Sequence, residues 1–225
     1  MKNLERFESL IGQEKIDKLL KSKVLVIGIG GVGGYVAESL ARSGVGEIHI
    51  VDHDIVDETN INRQIIALYS TIGKNKVDVM SERIKDINPN INVISYKMFV
   101  DENNIDDLIK NVDFVVDACD TVNTKLNIIL TCKKYSVPFI ACMGTGNKMD
   151  PSKLKIIDIK NTSYDPLAKK MRKFVKDNKV KGKVMVVCSD EIKYCTTTNP
   201  IPSNSFVPST AGLLASSYVI NEIIK

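Results

Sequence analysis

Cysteine is scarce in this chain and irregularly spaced. The five residues are Cys119, Cys132, Cys142, Cys188 and Cys195, with no Cys-x-x-Cys pair among them. An odd number without a framework argues against a disulfide scaffold and fits a reducing compartment. The missing pairs argue against a structural zinc site of that type. Histidine is rarer, His49 and His53 alone, and the two offer no Ser-His-Asp arrangement. No uninterrupted apolar stretch approaches the roughly 20 residues of a membrane-spanning helix. The opening Met1-Lys2-Asn3-Leu4-Glu5-Arg6 has an early acid and no apolar segment, so no secretory signal is expected. Internal repeats are absent too. A cytoplasmic protein without a membrane span is the expectation.

At 225 residues the chain has room for one substantial domain with an appended lobe rather than two independent cores. A formal charge of +4 is mild but uneven. Residues 153–183 hold eleven Lys and Arg against three Asp. Two readings stand side by side: a solvated lysine-rich loop, or a surface for phosphate-rich nucleic acid. A mobile segment at about 160–190 is expected.

Alternation of strand and helix patterns organises the rest. Residues 4–21 read as one or two short amphipathic helices, and residues 23–29 as a strand buried on both faces. The turn Gly28-Ile29-Gly30-Gly31-Val32-Gly33-Gly34 follows, then a helix ending at Gly44 and a strand over 47–51 closed by Asp52. Further strands are expected at 92–96, 112–117, 137–142 and 153–158, and helices at 74–88, 103–110, 121–135 and 208–224. This order predicts an α/β fold with a doubly wound, mostly parallel sheet.

Strand, glycine turn, helix, strand and acid in that order form the context a dinucleotide-type glycine motif requires. Gly28, Gly30 and Gly33 let backbone approach a phosphate and aim helix amides at it. Asp52 is placed to accept from ribose hydroxyls. Four further residues exceed an oxidoreductase's needs: Arg63 and Lys76 can neutralise β- and γ-phosphates, and Asn60 and Gln64 can donate to the same oxygens. Such a set suits a protein that binds ATP and expels pyrophosphate. Asp120, beyond a strand's carboxyl end, is the expected Mg2+ ligand on the triphosphate. Asp117 either joins it or caps the following helix, with Asn123 and Lys125 as supporting residues. His49 reads as structural and His53 as a neighbour of the nucleotide. Cys188, after an apolar run and before Ser189-Asp190-Glu191, is open to reading as a thiol nucleophile.

Taken together, Gly28-x-Gly30-Gly31-Val32-Gly33, Asp52-x-Asp54, Asn60-x-x-Arg63-Gln64, Lys76 and Asp117-x-x-Asp120 resemble the ThiF/MoeB/HesA superfamily, bacterial relatives of ubiquitin-activating enzymes. The resemblance implies one E1-like domain over residues 1–225 that binds ATP and Mg2+ and adenylates a carboxylate. It brings Gly31 and Asp54 into the nucleotide site. It also implies a homodimer, with Arg6 matching in placement an arginine that reaches the partner's ATP site. Asn62-Arg63-Gln64-Ile65, Glu82-Arg83-Ile84, Ile87-Asn88-Pro89, Gly144-x-Gly146, Asp150-Pro151 and Asp165-Pro166-Leu167-Ala168 resemble the tRNA threonylcarbamoyladenosine dehydratase group. That branch implies a tRNA bearing threonylcarbamoyladenosine as substrate, with a sulfur-transfer protein system as a possible companion. The alternative is an adenylating activator of a ubiquitin-like sulfur carrier, with Cys188 as thiol acceptor.

Overall fold

The computed structural model describes residues 2–196 and 199–225. Short runs rich in Val and Ile make the strands β1 (Lys23–Ile27), β2 (Glu47–Val51), β3 (Asn92–Tyr96), β4 (Phe114–Asp117), β5 (Phe139–Cys142), β6 (Leu154–Asp158) and β7 (Met185–Ser189). They form one sheet in the order β3-β2-β1-β4-β5-β7-β6. Every pairing is parallel except β6 with β7.

The helices are α1 (Glu5–Ile11), α2 (Gln13–Lys21), α3 (Gly33–Arg42), α4 (Lys76–Ile87), α5 (Ile105–Ile109), α6 (Val122–Tyr135), α7 (Pro166–Asp177) and α8 (Phe206–Ile223). They cover both faces. Val24 and Val26 of β1 pack in one core with Leu40 of α3, Met80 of α4 and Val219 of α8. The alternate residues Leu25 and Ile27 pack in a second core with Ile109 of α5, Ile128 of α6 and Met171 of α7. This period of two, buried on both sides, is the expected doubly wound α/β fold. Among the described residues, no helix is long and apolar enough to cross a membrane.

Sheet order fixes where a ligand can go. Chain progress reverses between β1 and β4, and at that switch point Ile27 stands in register with Val51 on one side and Asp117 on the other. Loops leaving these three strands diverge and open a crevice at their carboxyl ends. Gly28 turns there with φ of +90°, where a side chain is strained. A Cβ on Gly33 would lie 1.7 Å from the Gly28 carbonyl oxygen, so the entry to α3 closes only on glycine.

Two stretches differ in detail from what the sequence suggests. The lysine-rich one at about 160–190 holds α7 and β7. Ala168, Met171 and Val175 make a buried stripe along α7, while Lys169, Lys170, Lys173 and Lys176 are exposed. β7 is an interior strand between β5 and β6. Lysine-rich composition concealed a helical period because the lysines all belong to the wet face. For the last helix, the expected apolar side of Leu213, Leu214, Tyr218 and Ile224 is not the deepest; Leu213 is exposed. α8 packs by Val207, Ala211, Gly212, Ala215 and Val219, small residues that let it approach α3 closely.

Candidate active site

A cleft of about 690 Å3 lies at the switch point. Of the residues expected to bind nucleotide, Gly28, Gly30, Gly31, Asp52, Asp54, Asn60, Arg63, Gln64, Lys76 and Asp120 line it. Gly33 stands behind the turn as its packing partner rather than in the lining. Arg6 is also outside the lining. It is exposed on α1, and Leu4 just before that helix packs beside Gly44, at the turn into β2. That is the amino end of the strands, opposite the cleft.

The nucleotide half is built by short-range bonds. Asp52 Oδ2 accepts Ile29 N–H at 2.6 Å and Oδ1 accepts Asp54 N–H at 2.9 Å, so this carboxylate braces the glycine turn. Each oxygen keeps a lone pair for a further donor such as a ribose hydroxyl. Lys76 is buried, and its Nζ donates to Asp54 Oδ2 at 2.7 Å. Partial burial pushes the Asp54 carboxyl up, but the Lys76 hydrogen bond and charge outweigh it and hold it below the usual carboxylate range. Arg63 is anchored through one terminal nitrogen, donating to Thr59 O at 2.9 Å and Asn62 Oδ1 at 2.8 Å. The rest of its guanidinium remains for a ligand. Asn60 is buried and accepts Asp57 N–H at 3.1 Å on Oδ1.

Gln64 is the sharpest sign of a missing partner. Its side chain is buried in the cleft wall and Oε1 has no hydrogen-bond partner among the described residues. A half-turn of the amide exchanges acceptor for donor, so the group suits either a hydroxyl or a phosphate oxygen. Glycine turn, ribose acid, two cations and an orphan amide fit a nucleoside polyphosphate.

Asp120 is exposed at the cleft, with no hydrogen bond or ion pair to any described residue. The one trio of candidate metal ligands found among the described residues is Asp52, His53 and Asp54, which bring ligand atoms within 4.8 Å of one another and exclude Asp120. His53 stands 3.3 Å from Asp54 Oδ1 and edge-on to Phe99. His49 is structural: buried on β2, it pairs with Glu47 and stacks on Tyr96.

Asp117 neither lines the cleft nor caps α6. It is fully buried, and Oδ1 accepts Lys125 Nζ at 3.0 Å and Cys119 N–H at 3.2 Å. Lys125, equally buried, also donates to Cys142 O at 2.8 Å. Burial pushes the Lys125 amine down, but the facing Asp117 charge leaves it above its usual value. This pair ties β4, α6 and β5 together beneath the Asp117–Asp120 loop.

Cys188 is a buried thiol. Burial, with Asp165 nearby, pushes it up to about 12, and it does not line the cleft. A thiolate nucleophile is not formed there at neutral pH.

The far half of the cleft went unassigned in the sequence. Gly144, Asn147 and Lys148 after β5, Asp165 to Leu167 at the start of α7, and Lys193 line it. Asp165 is 4% exposed, and its Oδ1 accepts Ala168 N–H at 2.7 Å as the cap of α7. The sequence signal, Asp before Pro, reads as a helix start and conceals a site residue. Since α7 starts in the cleft and its outer face carries Lys169, Lys173 and Lys176, a basic track leads from the cleft outward.

The ThiF family model matches residues 3–225. A tRNA threonylcarbamoyladenosine dehydratase from Bacillus subtilis (strain 168) is 42% identical over 238 residues, covering 98% of this chain and 94% of the relative. One from Haemophilus influenzae is 37% identical over 233 residues, covering 94% and 89%. Among solved structures, E. coli tRNA N6-threonylcarbamoyladenosine dehydratase, TcdA, in complex with ATP matches with a TM-score of 0.94 at 33% identity, covering 99% of this chain and 94% of that one.

Proposed function

The chain belongs to the ThiF family, and from that premise we propose that it is an ATP-dependent tRNA-modifying dehydratase. It adenylates the threonyl carboxylate of N6-threonylcarbamoyladenosine in tRNA and closes the group into a ring with loss of water. The observation that carries this reading is one cleft that joins a polyphosphate-type half to a basic track along α7. The kinship with the B. subtilis, H. influenzae and E. coli dehydratases supports the same substrate.

In this reading ATP is a substrate. Asp52 accepts from the ribose, and the Gly28–Gly31 backbone takes phosphate oxygens. Asn60 and Gln64 fix the polyphosphate, and Arg63 and Lys76 oppose the charge that grows on departing pyrophosphate. Asp54 keeps Lys76 aimed. Asp120 would hold Mg2+, whose part is to neutralise phosphate charge, and its lack of any protein partner suits it to that task. The substrate carries its own nucleophile, so a buried Cys188 is no obstacle. The exposed lysines of α7 take tRNA phosphates. Arg6, too far from its own cleft, serves the cleft of a second copy in a homodimer. A tRNA substrate accords with work in the cytoplasm.

The test is ATP consumption by purified protein, with and without tRNA carrying threonylcarbamoyladenosine. The reading predicts AMP and pyrophosphate, dependence on that tRNA, and loss of turnover when divalent cations are chelated. Pyrophosphate exchange indifferent to tRNA would point to a protein carrier instead, and ADP formation would remove adenylation altogether.

A further inference from the structure

We propose that Asp165 is the base that takes the ureido N–H proton as the modified base cyclises, an inference that rests on the dehydratase reading above. Ring closure has one proton to lose whichever ureido atom attacks. Nitrogen or oxygen bonds to the threonyl carbonyl carbon, and the bond from that carbon to the AMP phosphate oxygen breaks. AMP leaves with the electron pair, and one ureido N–H proton passes to a base.

Four carboxylates line the cleft, and three have other tasks in that reading. Both oxygens of Asp52 accept backbone N–H groups that shape the glycine turn. Asp54 is paired with Lys76. Asp120 belongs to the nucleotide half, exposed and suited to a cation. The one histidine in the lining, His53, lies with Asp54 at the end of β2, across β1 and β4 from β5 and α7.

Asp165 stands where the tRNA-borne group arrives. It opens the helix whose outer face carries the lysine track, so a nucleic acid lying along those lysines meets the cleft at this carboxylate. Oδ1 is fixed by Ala168 N–H. Oδ2 lies against Gly144, where a Cβ would come within 2.8 Å of it, so a glycine there leaves the room this carboxylate needs. The groups facing the carboxyl are Lys148 after β5, Lys125 on α6 and Cys188 on β7. Burial raises it above the usual carboxylate value in spite of the Ala168 and Leu167 amides and the two lysines. A carboxylate raised in this way is a stronger base than an ordinary aspartate.

The test separates the two half-reactions. Asp165→Asn keeps an N-cap acceptor for α7, so the fold should hold. With tRNA carrying threonylcarbamoyladenosine, the variant should release pyrophosphate within about threefold of wild type while cyclic product falls about 100-fold or more. AMP would then appear with the base uncyclised, through hydrolysis of the adenylate. Wild-type cyclisation should fall as pH drops through the Asp165 value, and the residual rate of the variant should lack that limb. Cyclisation at the wild-type rate would overturn the proposal. So would a parallel loss of pyrophosphate release, which would make Asp165 part of the nucleotide site or the fold. If wild type itself releases no pyrophosphate with this tRNA, the dehydratase reading fails and this assignment fails with it.

Discussion

At the residue scale, the account depends on which polar groups are satisfied within the protein and which wait for a ligand. Arg63 spends one nitrogen on Thr59 and Asn62 and keeps the remainder of its fork in the cleft. Arg63→Ala should lower kcat for ATP turnover by about 100-fold or more, as loss of a charge-stabilising donor does, with an unchanged circular dichroism spectrum. Turnover within a few-fold of wild type would remove Arg63 from the phosphate site. Cys188→Ala makes the opposite prediction. With the thiol buried and pushed up to about 12, its removal should cost only about 1 kcal/mol of stability and leave kcat unchanged. A collapse of activity in a folded variant would revive the thiol-acceptor chemistry. Gly28, Gly30, Gly31, Asp52, Arg63 and Lys76 were legible in the sequence as residues of one cleft, because a strand, glycine turn and acid in that order bring them together. Asp165 was not, because its partners Gly144 and Ala168 reveal its setting only once β5 and α7 meet.

At the scale of elements, α7 starts in the cleft and carries exposed lysines away from it. Its buried stripe of Ala168, Met171 and Val175 anchors it, and the lysines opposite stay in solvent. Replacing Lys169, Lys173 and Lys176 by Glu should leave the melting temperature within a few degrees and ATP binding intact. Affinity for tRNA should weaken by about tenfold or more, and the salt dependence of binding should flatten by about one unit per lost phosphate contact. Unaltered tRNA affinity would move the nucleic-acid surface elsewhere. The same helix shows why part of the fold escaped the sequence. Strands and helices from 23 to 142 were legible because apolar period and turn residues agree there. In 160–190 the lysines lowered mean hydropathy enough to hide a three-residue stripe and an interior strand. For α8, the large residues Leu214, Tyr218 and Ile224 pack at the edge of the core, while the deepest contact, against α3, falls to Ala and Gly.

At the scale of the whole molecule, one chain supplies a cleft but holds Arg6 at the other end of its sheet. If a second copy brings that arginine, Arg6→Ala and Arg63→Ala chains, each inactive alone, should complement when mixed. A statistical mixture forms one complete site in half of its dimers, which gives about a quarter of wild-type activity. No recovery after verified subunit exchange would contradict a site shared between copies, and an active Arg6→Ala chain would place Arg6 outside catalysis. The most direct measurement is mass spectrometry of the modified nucleoside alongside the AMP formed, with saturating ATP and tRNA carrying threonylcarbamoyladenosine. Each AMP should accompany the loss of one water from one modified base. AMP formed without any change in the mass of the base, in the wild-type protein, would contradict it.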